Sequence, residues 1–94
     1  MYQLIIPAIV KKDIKKLPKD LQITLANKHL LLIQNNPYNG KFLKGKFRGF
    51  RKYSFSYDNS EYRVIYKIGE KSRFITLIIV ASRENIYDRL ERRV

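Results

Sequence analysis

Between residues 8 and 33 apolar positions recur every three or four residues, whereas from residue 50 they alternate with polar ones, so helix gives way to strand midway along the chain. Ahead of the helical part, "YQLII" is β-branched and aromatic enough for a first strand. Pro7 then suits the edge of a helix with Ile9, Val10, Ile14 and Leu17 on one side and Lys11, Lys12, Lys15 and Lys16 on the other. Pro18 opens a second helix, in which Leu21, Leu25 and Leu32 share a stripe with Ala26, Leu30 and Ile33, and "NNPYNG" stops it before residue 41. The two helices form a hairpin.

In "FRKYSFSY", Tyr53, Phe55 and Tyr57 point one way and Lys52, Ser54 and Ser56 the other. "DNSE" reads as a hairpin turn, and "YRVIYKI" then sets Tyr62, Val64, Tyr66 and Ile68 against Arg63, Ile65 and Lys67. A second turn at "GEKS" leads to "RFITLIIVA", apolar on both faces and therefore an interior strand. "ENIYDRLERRV" closes the sequence as a short, charged, amphipathic helix or a frayed tail. The expected fold is α+β, one domain over residues 1–94 in the order β-α-α-β-β-β with the final helix. A helical hairpin packs on one face of a small antiparallel sheet, the first strand joins at an edge, and a basic concave face lies opposite, carrying Lys52, Ser54, Arg63 and Lys67 in the open.

Composition sharpens this picture through charge. Lys and Arg number 20 against 8 Asp and Glu, a formal net charge of +12, which calls for a polyanionic partner and destabilises the free compact state through self-repulsion. With 45% hydrophobic residues, including seven tyrosines and five phenylalanines, 94 residues suffice for one core. No cysteine is present, which excludes a disulfide scaffold. Pro7 interrupts the short apolar run near the start, which does not read as a signal peptide, and "FITLIIVA" is too short for a bilayer, so a soluble cytoplasmic protein is expected.

The strongest local charge feature is Lys41, Lys44, Lys46, Arg48, Arg51 and Lys52, six cations with no acid between them. An isolated run of this kind reads as a solubilising loop. Here Phe42, Phe47 and Phe50 are interleaved, Gly45 and Gly49 allow close backbone approach, and the adjoining sheet face is itself basic, which favours contact with nucleic acid or another polyanion. Lys52 and Arg63 fall on one face of neighbouring strands, where two cations can converge on one phosphate; each on its own reads as an exposed cation. Arg83 ends the face shared by Ile79 and Ala81, and reads either as part of that site or as a partner of Glu84 or Asp88. The sole histidine, His29, lies among helix residues and reads as surface or core. No Ser/His/Asp set, metal-ligand cluster or Gly-rich phosphate loop can be assembled. An enzyme built from cations, a tyrosine and a carboxylate can still cleave RNA, because the substrate supplies its own 2′-hydroxyl nucleophile.

"LKGKFRGFRKYSFSYDNSEYRVIYKI" followed by "IIVASRENIYDRL" resembles the RelE/ParE superfamily, the toxins of type II toxin–antitoxin systems, over nearly the whole chain. The RelE-like branch implies a ribosome-dependent endoribonuclease that cuts messenger RNA in the ribosomal A site, without cofactor or metal, and is neutralised by a cognate antitoxin with an acidic wrapping segment. Carried over, Lys52 stabilises the phosphate, Arg63 the transition state and Arg83 the leaving group, while Tyr87 orients or stacks on a base. Lys41, Lys44, Lys46, Arg48, Arg51 and Lys67 would then hold the RNA backbone. Ser54 stands where many relatives place a second cation, so the general base is open among Lys44, Lys46 and Glu84, or the nucleophile is activated by position alone. The ParE-like branch implies inhibition of DNA gyrase instead, and a third reading is a toxin-like domain that binds RNA or antitoxin without catalysis. In the isolated protein Tyr87 is expected close to Arg83.

Overall fold

The computed structural model describes residues 2–94. Its elements are β1 (Gln3–Ile5), α1 (Ala8–Lys15), α2 (Lys19–Thr24), α3 (Leu30–Asn35), β2 (Lys41–Phe42), β3 (Phe50–Tyr57), β4 (Ser60–Gly69), β5 (Phe74–Ser82) and α4 (Ile86–Arg93). The five strands form one sheet in the order β1-β5-β4-β3-β2, antiparallel except for the parallel β1–β5 pair. The expected α+β architecture therefore holds, with β1 at an edge. Among the described residues no helix is long and apolar enough to cross a membrane.

β3 and β4 follow the alternation. Asp58 and Asn59 adopt φ of 50° and 65°, the left-handed pair of a two-residue hairpin turn, which fixes the register Tyr57 to Ser60 and hence Ser54 to Arg63 and Lys52 to Ile65. Tyr53, Phe55, Val64 and Tyr66 join Ile75, Leu77 and Val80 beneath the helices. A bulge at Ile78 in β5 then shifts the phase, so that Ile79 and Ala81 face the other way.

Two helical expectations need correction. Ile9 is exposed, whereas α1 buries Val10, as expected, and, unexpectedly, Asp13. Leu32 and Ala26 also lie outside, because α2 and α3 are joined by a π-helical turn, Leu25–His29. The wider turn inserts one residue into the helical repeat, so the inward stripe moves from Leu21 and Leu25 to His29, Leu30 and Ile33. His29 stacks on Phe55 with 3.9 Å between ring centroids, and its Nδ1 is 2.7 Å from the Tyr53 hydroxyl. At the helix exit Tyr66, fully buried, donates its hydroxyl to the Pro37 carbonyl across Gly40.

The face opposite the helical hairpin is not fully open. Ile86 and Leu90 of α4 pack with Leu43, Phe47, Ile65, Ile79 and Ala81 into a second apolar core, covering the middle of that face. The charged C-terminal segment is thus a docked helix, anchored at its end by Asp13. That carboxylate, 4% exposed, accepts the Val80 N–H and both terminal nitrogens of Arg93, with Arg89 3.5 Å away. Arg93 also donates to the Ile78 carbonyl. β1 pairs with β5 only as far as Thr76, so Asp13 and Arg93 satisfy the β5 edge beyond it with side chains in place of a strand.

Candidate functional site

α4 and the antiparallel β3–β4 ladder together build the site. Lys52 and Arg63 lie on one face, diagonal across the ladder with Ser54 opposite Arg63, and α4 lowers Tyr87 onto them. The Tyr87 hydroxyl is 3.4 Å from Lys52 Nζ and 3.3 Å from Arg63 Nη1, and the Arg63 guanidinium also lies over the Tyr87 ring at 5.7 Å from its centroid. Phe47 stacks on the other part of this cluster, its ring 6.0 Å from that of Tyr87. Two cations sharing one hydroxyl oxygen make a position that favours a negatively charged oxygen.

Arg63 is oriented from its other end. Its Nε donates to Glu61 Oε2 at 2.9 Å, and its side chain is only 15% exposed. The Glu61 main-chain carbonyl accepts the Arg83 N–H at 2.9 Å, so one residue touches both arginine-bearing strand ends. Glu61, Arg83, Glu84, Ser56 and Ser82 line a polar cleft of about 740 Å³ beside the hairpin turn. Glu61 escaped the sequence reading, although its position two residues before Arg63 on one strand gives both the same face.

The Tyr87 hydroxyl contacts Lys52 and Arg63, and among the described residues no hydrogen bond joins it to Arg83, near which it was expected. Arg83 is exposed on the cleft rim, and among the described residues its guanidinium pairs with neither Glu84 nor Asp88. Arg51 also departs from expectation, since it faces the helix side. Its guanidinium lies over Tyr38 and Phe42 at 5.1 and 5.0 Å and donates to the Tyr38 and Gly40 carbonyls, a structural clamp on the chain reversal. Lys46 forms an ion pair with Glu91 at 2.7 Å, tying the 43–49 loop to α4. Lys41 stands directly opposite Lys52 in the β2–β3 ladder, and Lys44, Arg48 and Lys67 are exposed around the same face. Ser54 is exposed beside Arg63 and carries no titratable group at neutral pH.

Comparison with known proteins agrees with the architecture. A family model described as ParE-like toxin of type II bacterial toxin–antitoxin system matches residues 4–91. A free double mutant of the E. coli toxin RelE superposes with a TM-score of 0.75 at 22% identity, over 99% of this chain and 97% of that one. The RelBE2 toxin–antitoxin complex of Mycobacterium tuberculosis gives 0.72 at 20% identity, over 87% and 98%. The intact E. coli RelBE toxin–antitoxin complex gives 0.70 at 23% identity, over 89% and 99%. No curated protein gave a sequence match.

Proposed function

Because the chain belongs to the ParE-like toxins of type II bacterial toxin–antitoxin systems, we propose that it is a ribosome-dependent endoribonuclease that cuts messenger RNA in the A site and is held inactive by a cognate antitoxin. The observation that carries this reading is the convergence of Lys52 and Arg63 on the Tyr87 hydroxyl. A scissile phosphate oxygen drawn in beside the Tyr87 hydroxyl meets both cations. As the 2′-oxygen attacks, charge grows on the phosphorus-bound oxygens, and Lys52 and Arg63 stabilise it more than they stabilise the ground state. Tyr87, stacked between Phe47 and Arg63, offers its ring and hydroxyl to orient the nucleotide. In this reading Arg83, exposed on the cleft rim, meets the departing 5′-oxygen. Lys41, Lys44, Arg48 and Lys67 hold flanking phosphates, which makes affinity strongly salt-dependent. Arg51, committed to Tyr38 and Phe42, leaves that set.

The ribosome, in this reading, supplies what the small site lacks, a message held in fixed register so that nucleophile, phosphorus and leaving group lie in line. An acidic antitoxin segment binding the basic face would neutralise charge and cover the Lys52–Arg63 position at once. Structural neighbours in complex with an antitoxin or an antitoxin peptide support such a partner.

The test is primer extension on a defined message in a purified translation system, wild type beside Arg63→Ala. New 5′ ends within A-site codons that require ribosomes and vanish in the variant are expected. Intact message together with gyrase-dependent DNA breaks would replace this reading with gyrase inhibition, and neither activity would leave a non-catalytic binder.

A further inference from the structure

Attack by a 2′-hydroxyl needs an acceptor for its proton. Ser54 cannot serve at neutral pH, Lys46 is engaged with Glu91, and His29 is buried beneath the sheet against Phe55 and Tyr53. Building on the nuclease reading, the geometry points to Glu61 as the general base. Four observations carry this. Its carboxylate lies on the same sheet face as Lys52, Ser54 and Arg63. It reaches the phosphate-facing arginine directly, 2.9 Å from Nε, while Arg63 Nη1 at the other end of that guanidinium reaches the Tyr87 position. Among the described residues only Oε2 takes part in a hydrogen bond or ion pair, which leaves Oε1 as a second acceptor on a side chain that lines the same cleft as Arg83. And the side chain is 33% exposed, open enough to meet a ribose and sheltered enough to hold one geometry.

The guanidinium thus acts as a spacer. It sets a carboxylate at one end and the anion position at the other, a separation suited to a nucleotide whose 2′-hydroxyl and 3′-phosphate are neighbouring groups. In the step, Glu61 Oε1 accepts the 2′-hydroxyl proton as the O2′–P bond forms. The P–O5′ bond breaks, its electron pair stays on the 5′-oxygen, and that oxygen takes a proton from water at the Arg83 rim. The products are a 2′,3′-cyclic phosphate and a 5′-hydroxyl end, and the Glu61 proton returns to solvent. Glu84, exposed on the rim, forms no hydrogen bond or ion pair with Arg63 among the described residues and so lacks this fixed geometry.

The experiment compares wild type, Glu61→Gln, Glu61→Ala and Glu84→Gln by single-turnover cleavage of ribosome-bound message across pH, with the Arg63 Nε–Hε NMR resonance read in each free protein. Glutamine keeps an oxygen acceptor for Arg63 Nε and cannot take a proton. Glu61→Gln is expected to leave that resonance near its wild-type position, lower the single-turnover rate on the order of 10²-fold or more, and abolish the acid limb of the pH profile. Glu84→Gln is expected to keep the acid limb of the profile, and loss of that limb in Glu84→Gln but not in Glu61→Gln would overturn the assignment. A Glu61→Gln enzyme with near wild-type rate and profile overturns the assignment. So does a variant whose rate falls with the acid limb intact and the Arg63 resonance displaced, which would reduce Glu61 to a positioning residue. A wild type that leaves ribosome-bound message uncut overturns the nuclease reading itself, and is distinguished from the other outcomes before any variant is compared.

Discussion

Nη1 of Arg63 lies 3.3 Å from the Tyr87 hydroxyl while its guanidinium also covers the Tyr87 ring, so an arginine in the sheet and a tyrosine on the last helix hold each other in place. The two contacts separate on substitution. Tyr87→Phe keeps the stacking and loses the hydroxyl, and is expected to lower message cleavage about tenfold, the rate equivalent of one hydrogen bond. Arg63→Ala removes both contacts and the charge, with an expected loss on the order of 10²- to 10³-fold. Single-turnover cleavage of ribosome-bound message, with thermal melting as the folding control, checks both values; a Tyr87→Phe protein as inactive as Arg63→Ala would contradict the separation.

Asp13 is the second residue whose removal should be felt far from its own helix. Its carboxylate holds Val80 N–H and Arg93 in a nearly dry setting, and truncating one member of a buried ion pair leaves the other desolvated without compensation. Asp13→Ala is expected to cost about 3–5 kcal/mol in urea unfolding. A double-mutant cycle with Arg93→Ala should show a combined cost well below the sum of the single ones. Additive costs would mean that the two side chains stabilise the fold independently.

Acidification should weaken the fold through His29. Burial first, and the charge of Lys28 second, hold its pKa below the ordinary 6.5, so the unfolded chain binds a proton at a pH where the folded one resists it. The stability associated with neutral His29 is therefore complete above about pH 6.5 and is lost as pH falls toward the folded-state value. Urea midpoints measured at about pH 7.5 and about pH 5.5 should fall on acidification, and His29→Asn should flatten that difference even though it lowers both midpoints. A slope unchanged in the variant would place the titrating group elsewhere.

Gly40 is constrained by space, since its φ of −66° is open to any residue. A Cβ there would lie 2.0 Å from the Tyr66 hydroxyl oxygen and 3.1 Å from the Lys52 carbonyl. Gly40→Ala must displace Tyr66 from Pro37, and is expected to cost about 1–3 kcal/mol in thermal or urea unfolding. The double variant Gly40→Ala, Tyr66→Phe should recover part of that loss, because the clashing oxygen is gone. No recovery would show that the Tyr66 ring carbon, 2.8 Å from that Cβ, or the Lys52 carbonyl sets the limit in place of the hydroxyl.

The strands were legible because period two is a local property. Tyr53, Phe55, Val64 and Tyr66 declare one face without knowledge of what covers it, and Asp58 with Asn59 fixes the register through backbone preference. The pairing of Lys52 with Arg63 followed from the same counting. What the pattern hid depends on partners distant in sequence. The π-helical turn that carries Leu32 outward answers to the shape of the sheet beneath it, and the two-residue β2 is too short to show a period. Asp13 reads as one acid among lysines until the β5 edge and Arg93 arrive beside it from residues 78 to 93. Tyr87 was legible as a residue of interest, yet its companions were not, because helix docking across the second core decides which cations it meets.

The pairing of β1 with β5 has a consequence for the order of events during synthesis. Gln3, Leu4 and Ile5 are among the first residues made, yet their partners are Phe74, Ile75 and Thr76, and Asp13 waits for an arginine 80 residues later. The β3–β4–β5 meander closes through short loops and forms early, whereas contacts of such sequence separation come late because the intervening chain must first be ordered. A nascent chain therefore cannot complete its N-terminal edge, or seat the helix that carries Tyr87, until residue 93 has emerged.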